Sequence, residues 1–93
     1  YPDCRPSYYK AFNQLIKEGT KAGDIVVLTP VINMKKKEIV RTGQDLKVPF
    51  ELSWSCYQST TKACGKCDSC ALRLRGFKEA GMIDPIEYQM EVL

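Results

Sequence analysis

Four of the five cysteines in this chain lie close together in the sequence and can share one metal ion. Cys56, Cys64, Cys67 and Cys70 follow the spacing C-x7-C-x2-C-x2-C. Two overlapping Cys-x2-Cys steps bring three sulfurs to one turn, and Cys56 supplies the fourth from a preceding segment. Four thiolates suit a tetrahedral zinc ion, with Zn–S distances of about 2.3 Å. Such a site has no open position for water, so the pattern predicts a structural zinc site.

Other kinds of cysteine chemistry use the same residues. Two disulfides, an iron–sulfur cluster and a redox-active Cys-x2-Cys pair are the alternatives. The chain has no histidine, which excludes Ser-His and Cys-His catalytic pairs and mixed Cys/His metal sites. Four basic residues are near in sequence: Lys62, Lys66, Arg73 and Arg75. We expect them, together with backbone N–H groups at the start of the Asp68 helix, to moderate the negative charge of four thiolates around one Zn²⁺. Cys4 stands apart from the cluster and is interpreted as a small, buried or half-buried apolar residue.

The elements that position these cysteines must fit into 93 residues, which allow one small domain at most. With 44% hydrophobic and 27% charged residues the chain has a globular composition. No apolar run approaches the roughly 20 residues that cross a bilayer. The net charge of +3 is too small to indicate a nucleic-acid partner by itself.

The first third of the chain predicts a helix and a strand. After a rigid, non-helical start at Tyr1–Pro6, Ser7 is the expected helix cap and Gly19 the expected stop. An apolar stripe at helical spacing is predicted to face a core, and it consists of Tyr9, Phe12, Leu15 and Ile16. Ile25–Thr29 is continuously apolar and predicts a parallel strand that is covered on both faces.

Two further helices and the cysteine loop are expected in the remainder. The first helix runs from about Lys35 to Asp45 or Leu46, and the second runs from an Asp68 cap to about Ala80. Between them, Phe50–Ser55 alternates as a short extended segment and Cys56–Cys67 is loop. Asp84-Pro85 opens a last turn or short helix. A single strand cannot satisfy its own backbone groups, so the pattern predicts a piece of a parallel α/β domain.

Four blocks of sequence together resemble the C-terminal part of the 7-cyano-7-deazaguanine synthase family. They are YPDCRP at Tyr1–Pro6, WSCY at Trp54–Tyr57, CGKCDSC at Cys64–Cys70 and LRLRGF at Leu72–Phe77. The resemblance runs from Tyr1 to about Pro85, and residues 86–93 add little to it.

The resemblance implies an α/β fold, a doubly wound parallel-sheet domain of the ATP-pyrophosphatase type (adenine nucleotide alpha hydrolase-like). Residues 1–93 would be the C-terminal part of a single synthase domain, mostly helical, with a zinc loop at 56–70 and Ile25–Thr29 as a late strand. It implies zinc on the four cysteines, with ATP and Mg²⁺ used by the whole enzyme. The implied enzyme is an ATP-dependent ligase of queuosine biosynthesis, cytoplasmic and commonly a homodimer, that converts 7-carboxy-7-deazaguanine and ammonia to the nitrile. No membrane and no nucleic acid is implied as a partner.

One departure from the family concerns the phosphate loop. The family carries Ser-Gly-Gly-x-Asp-Ser near its N-terminus, whereas this chain has six glycines and no two of them are adjacent. The ATP-binding part is therefore absent, and we predict that the 93 residues alone are inactive. Lys35 also replaces a helix-capping serine of the family, and Asn33 is expected to substitute for it.

Four residues are candidates for substrate binding. Lys36 matches a lysine of the family and is placed to approach a phosphate, although Lys35–Lys37 also fits a solvated run. Asp3 and Arg5 would meet the deazaguanine or order its pocket wall, or else form a surface turn with an ion pair. Trp54 would stack on the flat heterocycle or pack over the zinc loop.

Two alternative functions remain open at the level of sequence. One is another ATP-pyrophosphatase enzyme, such as one that inserts sulfur into tRNA. The other is a standalone zinc knuckle that binds protein or RNA through the basic residues near the cysteines.

Overall fold

The computed structural model describes residues 1–89, which divide into a first unit at Tyr1–Met34 and a second unit that starts at Lys35. The first unit holds a short 3-10 helix at Pro2–Cys4 and helix α1 at Pro6–Gly19. The second unit holds helix α2 at Lys36–Asp45, a short 3-10 helix at Phe50–Leu52 and helix α3 at Asp68–Glu79. Residues 90–93, the end of the predicted domain, lie outside the described part of the chain.

Helix α1 ends where predicted but starts earlier, and the prediction of a non-helical segment at Tyr1–Pro6 is wrong because Pro2–Cys4 forms a 3-10 helix and Pro6 opens α1. It begins at Pro6, and its cap residue is Arg5 rather than Ser7. Proline is well suited to the first helical position, because its missing N–H would have had no partner there. The helix ends at Gly19 as predicted, and Thr20 closes it by donating its backbone N–H to Ile16 O at 3.0 Å.

The apolar stripe of α1 is not a core in this structure, so that prediction is wrong. No residue in the first unit is buried. Leu15 is 66% exposed and Phe12 is 38% exposed, while Tyr9 and Ile16 are half-buried. Within the first unit, the stripe has too little apolar surface facing it to be covered.

Ile25–Thr29 forms no strand, which corrects the second prediction for this unit. The described residues offer no backbone segment that pairs with it. The side-chain amide of Asn13 takes that place instead: its Nδ2 donates to Val27 O at 3.1 Å, and its Oδ1 accepts from Val27 N at 2.7 Å. One side chain satisfies one residue of the segment, and a strand ladder needs a whole neighbouring backbone.

Helices α2 and α3 pack closely because Gly76 leaves room for the Lys36 stem, and Gly43 of α2 leaves room for the Phe50 ring. A Cβ at Gly76 would lie 2.5 Å from Lys36 Cγ, and one at Gly43 would lie 2.3 Å from Phe50 Cζ. The rings of Phe50 and Phe77 meet edge to face, with centroids 5.1 Å apart.

Lys35 precedes α2, and its N–H donates to Glu38 Oε1 at 3.0 Å. One of the two hydrogen bonds of a capping box, the one accepted by Glu38, therefore forms at Lys35 without the family's serine and without Asn33.

Three local expectations for the second unit are corrected. Phe50–Leu52 is a 3-10 helix rather than extended, because Ser53 N–H turns back to Phe50 O at 3.0 Å. Cys67, not Asp68, caps α3. No helix follows Asp84-Pro85 within residues 84–89; Asp84 Oδ1 accepts from Ile86 N at 3.2 Å instead.

The segment after Asp84 runs alongside the cysteine loop. Tyr88 forms a parallel bridge with Ala63. Ala63 N donates to Glu87 O at 3.2 Å, and Gln89 N donates to Ala63 O at 2.8 Å. The cysteine loop is thus anchored by backbone pairing as well as by α3.

None of the helices in the described residues has the length and apolar character needed to cross a membrane.

Candidate metal centre

The four clustered cysteines converge in space as the spacing predicts. The Sγ atoms of Cys56, Cys64, Cys67 and Cys70 all lie within 4.8 Å of one another. Those of Cys64 and Cys70 are 4.0 Å apart, and a tetrahedron with Zn–S bonds of about 2.3 Å has edges of about 3.8 Å. All four are free thiols. The group can therefore hold one metal ion with small adjustments of the side chains.

Loop and helix each contribute part of the ligand set. Gly65 adopts φ +75°, which lets the chain turn sharply between Cys64 and Cys67. Cys67 then caps α3, and Cys70 sits in the first turn of that helix. Cys56 comes from the preceding loop and is tied to the turn because its Sγ accepts from Cys64 N at 3.3 Å.

Backbone N–H groups surround the sulfurs. Cys56 Sγ also accepts from Gln58 N at 3.4 Å. Cys64 Sγ accepts from the backbone of Lys66 at 3.4 Å and of Cys67 at 3.2 Å. Cys67 Sγ accepts from Cys70 N at 3.4 Å. Such donors favour the thiolate form, which is the form that binds metal.

These surroundings separate the acidities of the thiols. The Cys64 backbone N–H does most to lower the pKa of Cys56, which falls to about 6. The pKa of Cys67 is also lowered, chiefly by the backbone N–H of Tyr57 and then by that of Cys70. Burial raises the pKa of Cys70 to about 12, and this side chain is 1% exposed. The thiolate form of Cys56 and Cys67 is thus favoured, while Cys70 would release its proton to solvent only when a metal ion binds its sulfur.

Three of the four basic side chains near the cysteines pair with carboxylates. Arg73 pairs with Asp84 at 2.7 Å, Arg75 with Glu79 at 3.3 Å and Lys62 with Glu87 at 4.0 Å. Since these three face carboxylates, the backbone N–H groups are the main groups that moderate the charge on the sulfurs.

A buried polar cluster, which we call the Arg73 cluster, supports the centre and was missed at the level of sequence. Arg73 Nε and Nη2 donate to the two carboxylate oxygens of Asp84 at 2.7 and 3.0 Å. Tyr88 OH donates to the same carboxylate. Arg73 Nη1 also reaches Ser55 Oγ at 3.4 Å. The ion pair is deeply buried, with side chains 5% and 2% exposed. In the sequence, the available sign of this cluster was Asp84-Pro85 after α3, and that pair was interpreted as the opening of a last turn or short helix.

The comparison with known families shows the family of this chain. The family described as "Queuosine biosynthesis protein QueC" matches residues 1–81. The chain belongs to this family.

Curated relatives of this QueC-family chain carry one name. The 7-cyano-7-deazaguanine synthase of Chlorobium phaeobacteroides is 62% identical over 90 residues, which is 96% of this chain and 40% of the relative. That of Chloroherpeton thalassium is 62% identical over 91 residues, 97% and 40% respectively. That of Acidobacterium capsulatum is 58% identical over 88 residues, 95% and 38%. The chain thus spans about 40% of the length of these relatives. No solved structure matches the chain.

The other candidate residues of this QueC-family chain fall in both units. Asp3 and Arg5 belong to the first unit and are exposed. Asp3 Oδ1 lies 4.0 Å from the Sγ atom of Cys4, which is exposed rather than buried. Lys36 and Trp54 belong to the second unit.

Trp54 is held against the ligand loop. Its indole N–H donates to the carbonyl of Cys56 at 2.9 Å, and 46% of the residue remains exposed. One edge of the ring is therefore fixed by the loop, while much of the remaining surface is open to solvent.

Lys36 lines a basic cavity. The cavity has a volume of about 410 Å³ and lies where the start of α2 meets α3. Its polar lining consists of Lys35, Lys36, Lys37, Arg75 and Glu79. The stem of Lys36 rests against Gly76.

Proposed function

We propose that this chain is part of a 7-cyano-7-deazaguanine synthase that acts in queuosine biosynthesis. The observation that carries the proposal is the family match over residues 1–81, together with relatives of that name at 55–62% identity. It favours the synthase over the two alternatives, a tRNA-thiolating enzyme and a standalone zinc knuckle.

The proposed reaction converts 7-carboxy-7-deazaguanine and ammonia to the nitrile in an ATP-dependent ligase. A carboxylate is a poor electrophile because its oxygen is a poor leaving group. Transfer of AMP from ATP to that oxygen makes an acyl adenylate and releases pyrophosphate. Ammonia then displaces AMP and gives the amide. Activation of the amide oxygen in the same way releases a second pyrophosphate, and AMP then leaves with that oxygen while both amide protons are lost to water, which forms the carbon–nitrogen triple bond.

The proposed fold of the whole enzyme is the doubly wound ATP-pyrophosphatase domain, of which this chain is the C-terminal part. The family match supports this proposal. In that fold Ile25–Thr29 would join a parallel sheet. A neighbouring strand would then bind the Val27 backbone in place of the Asn13 side chain.

The proposed metal is zinc, on Cys56, Cys64, Cys67 and Cys70. The donor set supports it, since four sulfurs at near-tetrahedral spacing are the ligands of closed structural zinc sites. Bound zinc would stabilise the loop around it. The cysteines would provide all four ligands, so the reaction would take place elsewhere.

Lys36 is the proposed contact for the phosphates of ATP, which would bind with Mg²⁺. The cavity that it lines supports this, because four basic side chains and one acidic side chain surround it. Asp3, Arg5 and Trp54 are proposed to contact or border the deazaguanine. The exposed surface of Trp54 leaves room for stacking. We further propose a homodimer located in the cytoplasm.

The test is an assay of the whole protein from the gene that encodes this chain. Incubation with 7-carboxy-7-deazaguanine, ATP, Mg²⁺ and an ammonium salt is expected to give the nitrile, identified by its mass. A Lys36→Ala variant should raise the KM for ATP, with Lys78→Ala as a control because Lys78 is exposed on α3 and does not line the cavity. ATP-dependent transfer of sulfur to tRNA without nitrile formation would contradict the proposal.

A further inference from the structure

The Arg73 cluster is more buried and makes more hydrogen bonds than an ordinary surface ion pair. The Asp84 carboxylate receives two N–H groups from Arg73, the Tyr88 hydroxyl and the Ile86 backbone N–H. Arg73 in turn donates to Phe50 O at 3.4 Å, and its guanidinium carbon lies 5.4 Å from the centre of the Phe77 ring. Charged side chains as deeply buried as these are stable only when they are paired and their polar atoms are hydrogen-bonded.

The Arg73 cluster is connected to the chain near three of the four proposed metal ligands, Cys56, Cys64 and Cys70. Arg73 lies three residues after Cys70 on α3, so both side chains project from the same side of the helix. It also donates to Ser55, the residue immediately before Cys56. The segment that carries Asp84 continues to Tyr88, whose bridge to Ala63 fixes the residue immediately before Cys64.

The cysteine loop needs such support. Residues 53–67 contain no helix, and their bridge at Ala63 is made with the segment that follows Asp84. Cys56, Ala63 and Cys70 form a small buried group, with Ile86 and Tyr88 packed against it. Removing the Asp84 carboxylate would break the link between α3, which carries Cys70, and the segment after Asp84, which pairs with Ala63 beside Cys64.

We infer that Arg73, Asp84 and Tyr88 are positioning residues of the metal centre, which hold the four thiols in place before the ion binds. The inference rests on the proposed metal site. Outer partners that orient metal ligands typically contribute 10–100-fold to metal affinity, and the Arg73 cluster acts here through the backbone beside the ligands.

The test compares Asp84→Asn with Glu87→Gln in the 93-residue chain. Both remove one carboxylate charge from the same segment, but Glu87 pairs only at the exposed surface, where its side chain is 80% exposed. Zinc affinity is measured by competition with a chromogenic chelator, and the ligand set is read from the absorption of the Co²⁺-loaded protein. We expect about 10–100-fold weaker zinc binding in Asp84→Asn and less than a twofold change in Glu87→Gln.

A positioning role predicts further signatures that simple unfolding does not. At saturating Co²⁺, the Asp84→Asn spectrum should still be that of a tetrahedral thiolate site, and its helical circular dichroism should match the parent. Tyr88→Phe keeps the ion pair and removes one hydrogen bond, so it should weaken zinc binding by about two- to tenfold. If Asp84→Asn cannot be loaded at all, Tyr88→Phe decides the matter.

Equal zinc affinity in Asp84→Asn, Tyr88→Phe and Glu87→Gln would overturn the inference. A parent chain that binds neither zinc nor Co²⁺ would instead contradict the metal site itself, and that result is visible before any variant is made.

Discussion

Replacing Gly76 with alanine should test the close contact between α2 and α3. The new Cβ would lie 2.5 Å from Cγ and 3.0 Å from Cβ of Lys36. Carbon atoms normally approach to about 3.5–4.0 Å. These Lys36 atoms are next to the backbone and cannot swing away like the end of the side chain, so the two helices must separate by about 1 Å.

The expected loss follows from two opposing effects. Overpacking of this kind costs about 1–3 kcal/mol, while alanine gains about 1 kcal/mol over glycine inside a helix. We therefore expect Gly76→Ala to lower the free energy of unfolding by up to about 2 kcal/mol.

A double-mutant cycle with Lys36→Ala separates the two effects. Lys36→Ala removes the nearest atom, so Gly76→Ala should be at least about 1 kcal/mol less costly in that background. Urea unfolding of the zinc-saturated chain, followed by helical circular dichroism, measures both differences. The same cost in both backgrounds would show that the Lys36 stem does not limit the approach of the helices.

Three further predictions follow from the described contacts. Cys67→Ser should speed hydrogen exchange of the loop at 56–70 more than that of α2, because metal binding and folding of the loop are linked; equal protection in both proteins would contradict a structural metal. The phenol of Tyr88 should titrate well above pH 10 by ultraviolet absorbance, since burial and then Asp84 raise its pKa. The folded state keeps this proton longer than the unfolded chain does, so the free energy of unfolding should fall as pH rises above 10, and Tyr88→Phe should remove that part of the slope. Calorimetric titration should detect no tight ATP binding to the 93-residue chain, because the family's Gly-Gly phosphate loop is absent from it; saturable binding that Lys36→Ala abolishes would place the nucleotide site on this part of the enzyme.

The sequence predicted best where the structure is local. Cys64, Cys67 and Cys70 lie within seven residues, so one turn and the start of one helix are enough to bring them together. The ends of the helices were also predictable to within one or two residues: Gly19 ends α1 as expected, while the helix begins at Pro6 instead of after a Ser7 cap. Contacts of this kind depend on spacing and on single-residue geometry.

The sequence predicted poorly where a residue needs a distant partner. Asp84 followed by proline suggested a turn, and nothing in the local pattern indicated that Arg73, eleven residues earlier, would bury its carboxylate. Ile25–Thr29 shows the opposite case. Its apolar run predicted a strand covered on both faces, and the described residues supply no neighbouring strand with which it could pair.

The buried core of the second unit is small, so a metal bound as proposed would add substantially to its stability. The buried apolar residues in the described part of the chain are Val40, Cys56, Ala63, Cys70 and Phe77, and two of these five are proposed ligands. So small a core rarely stabilises a fold without a metal or a crosslink. Structural zinc adds about 10–16 kcal/mol of binding free energy in small domains, which exceeds what three buried apolar side chains provide at about 1.5–3 kcal/mol each. A zinc ion on these four cysteines, as proposed, would therefore add most to the stability of the loop at 56–70, which the Arg73 cluster anchors through backbone beside the ligands.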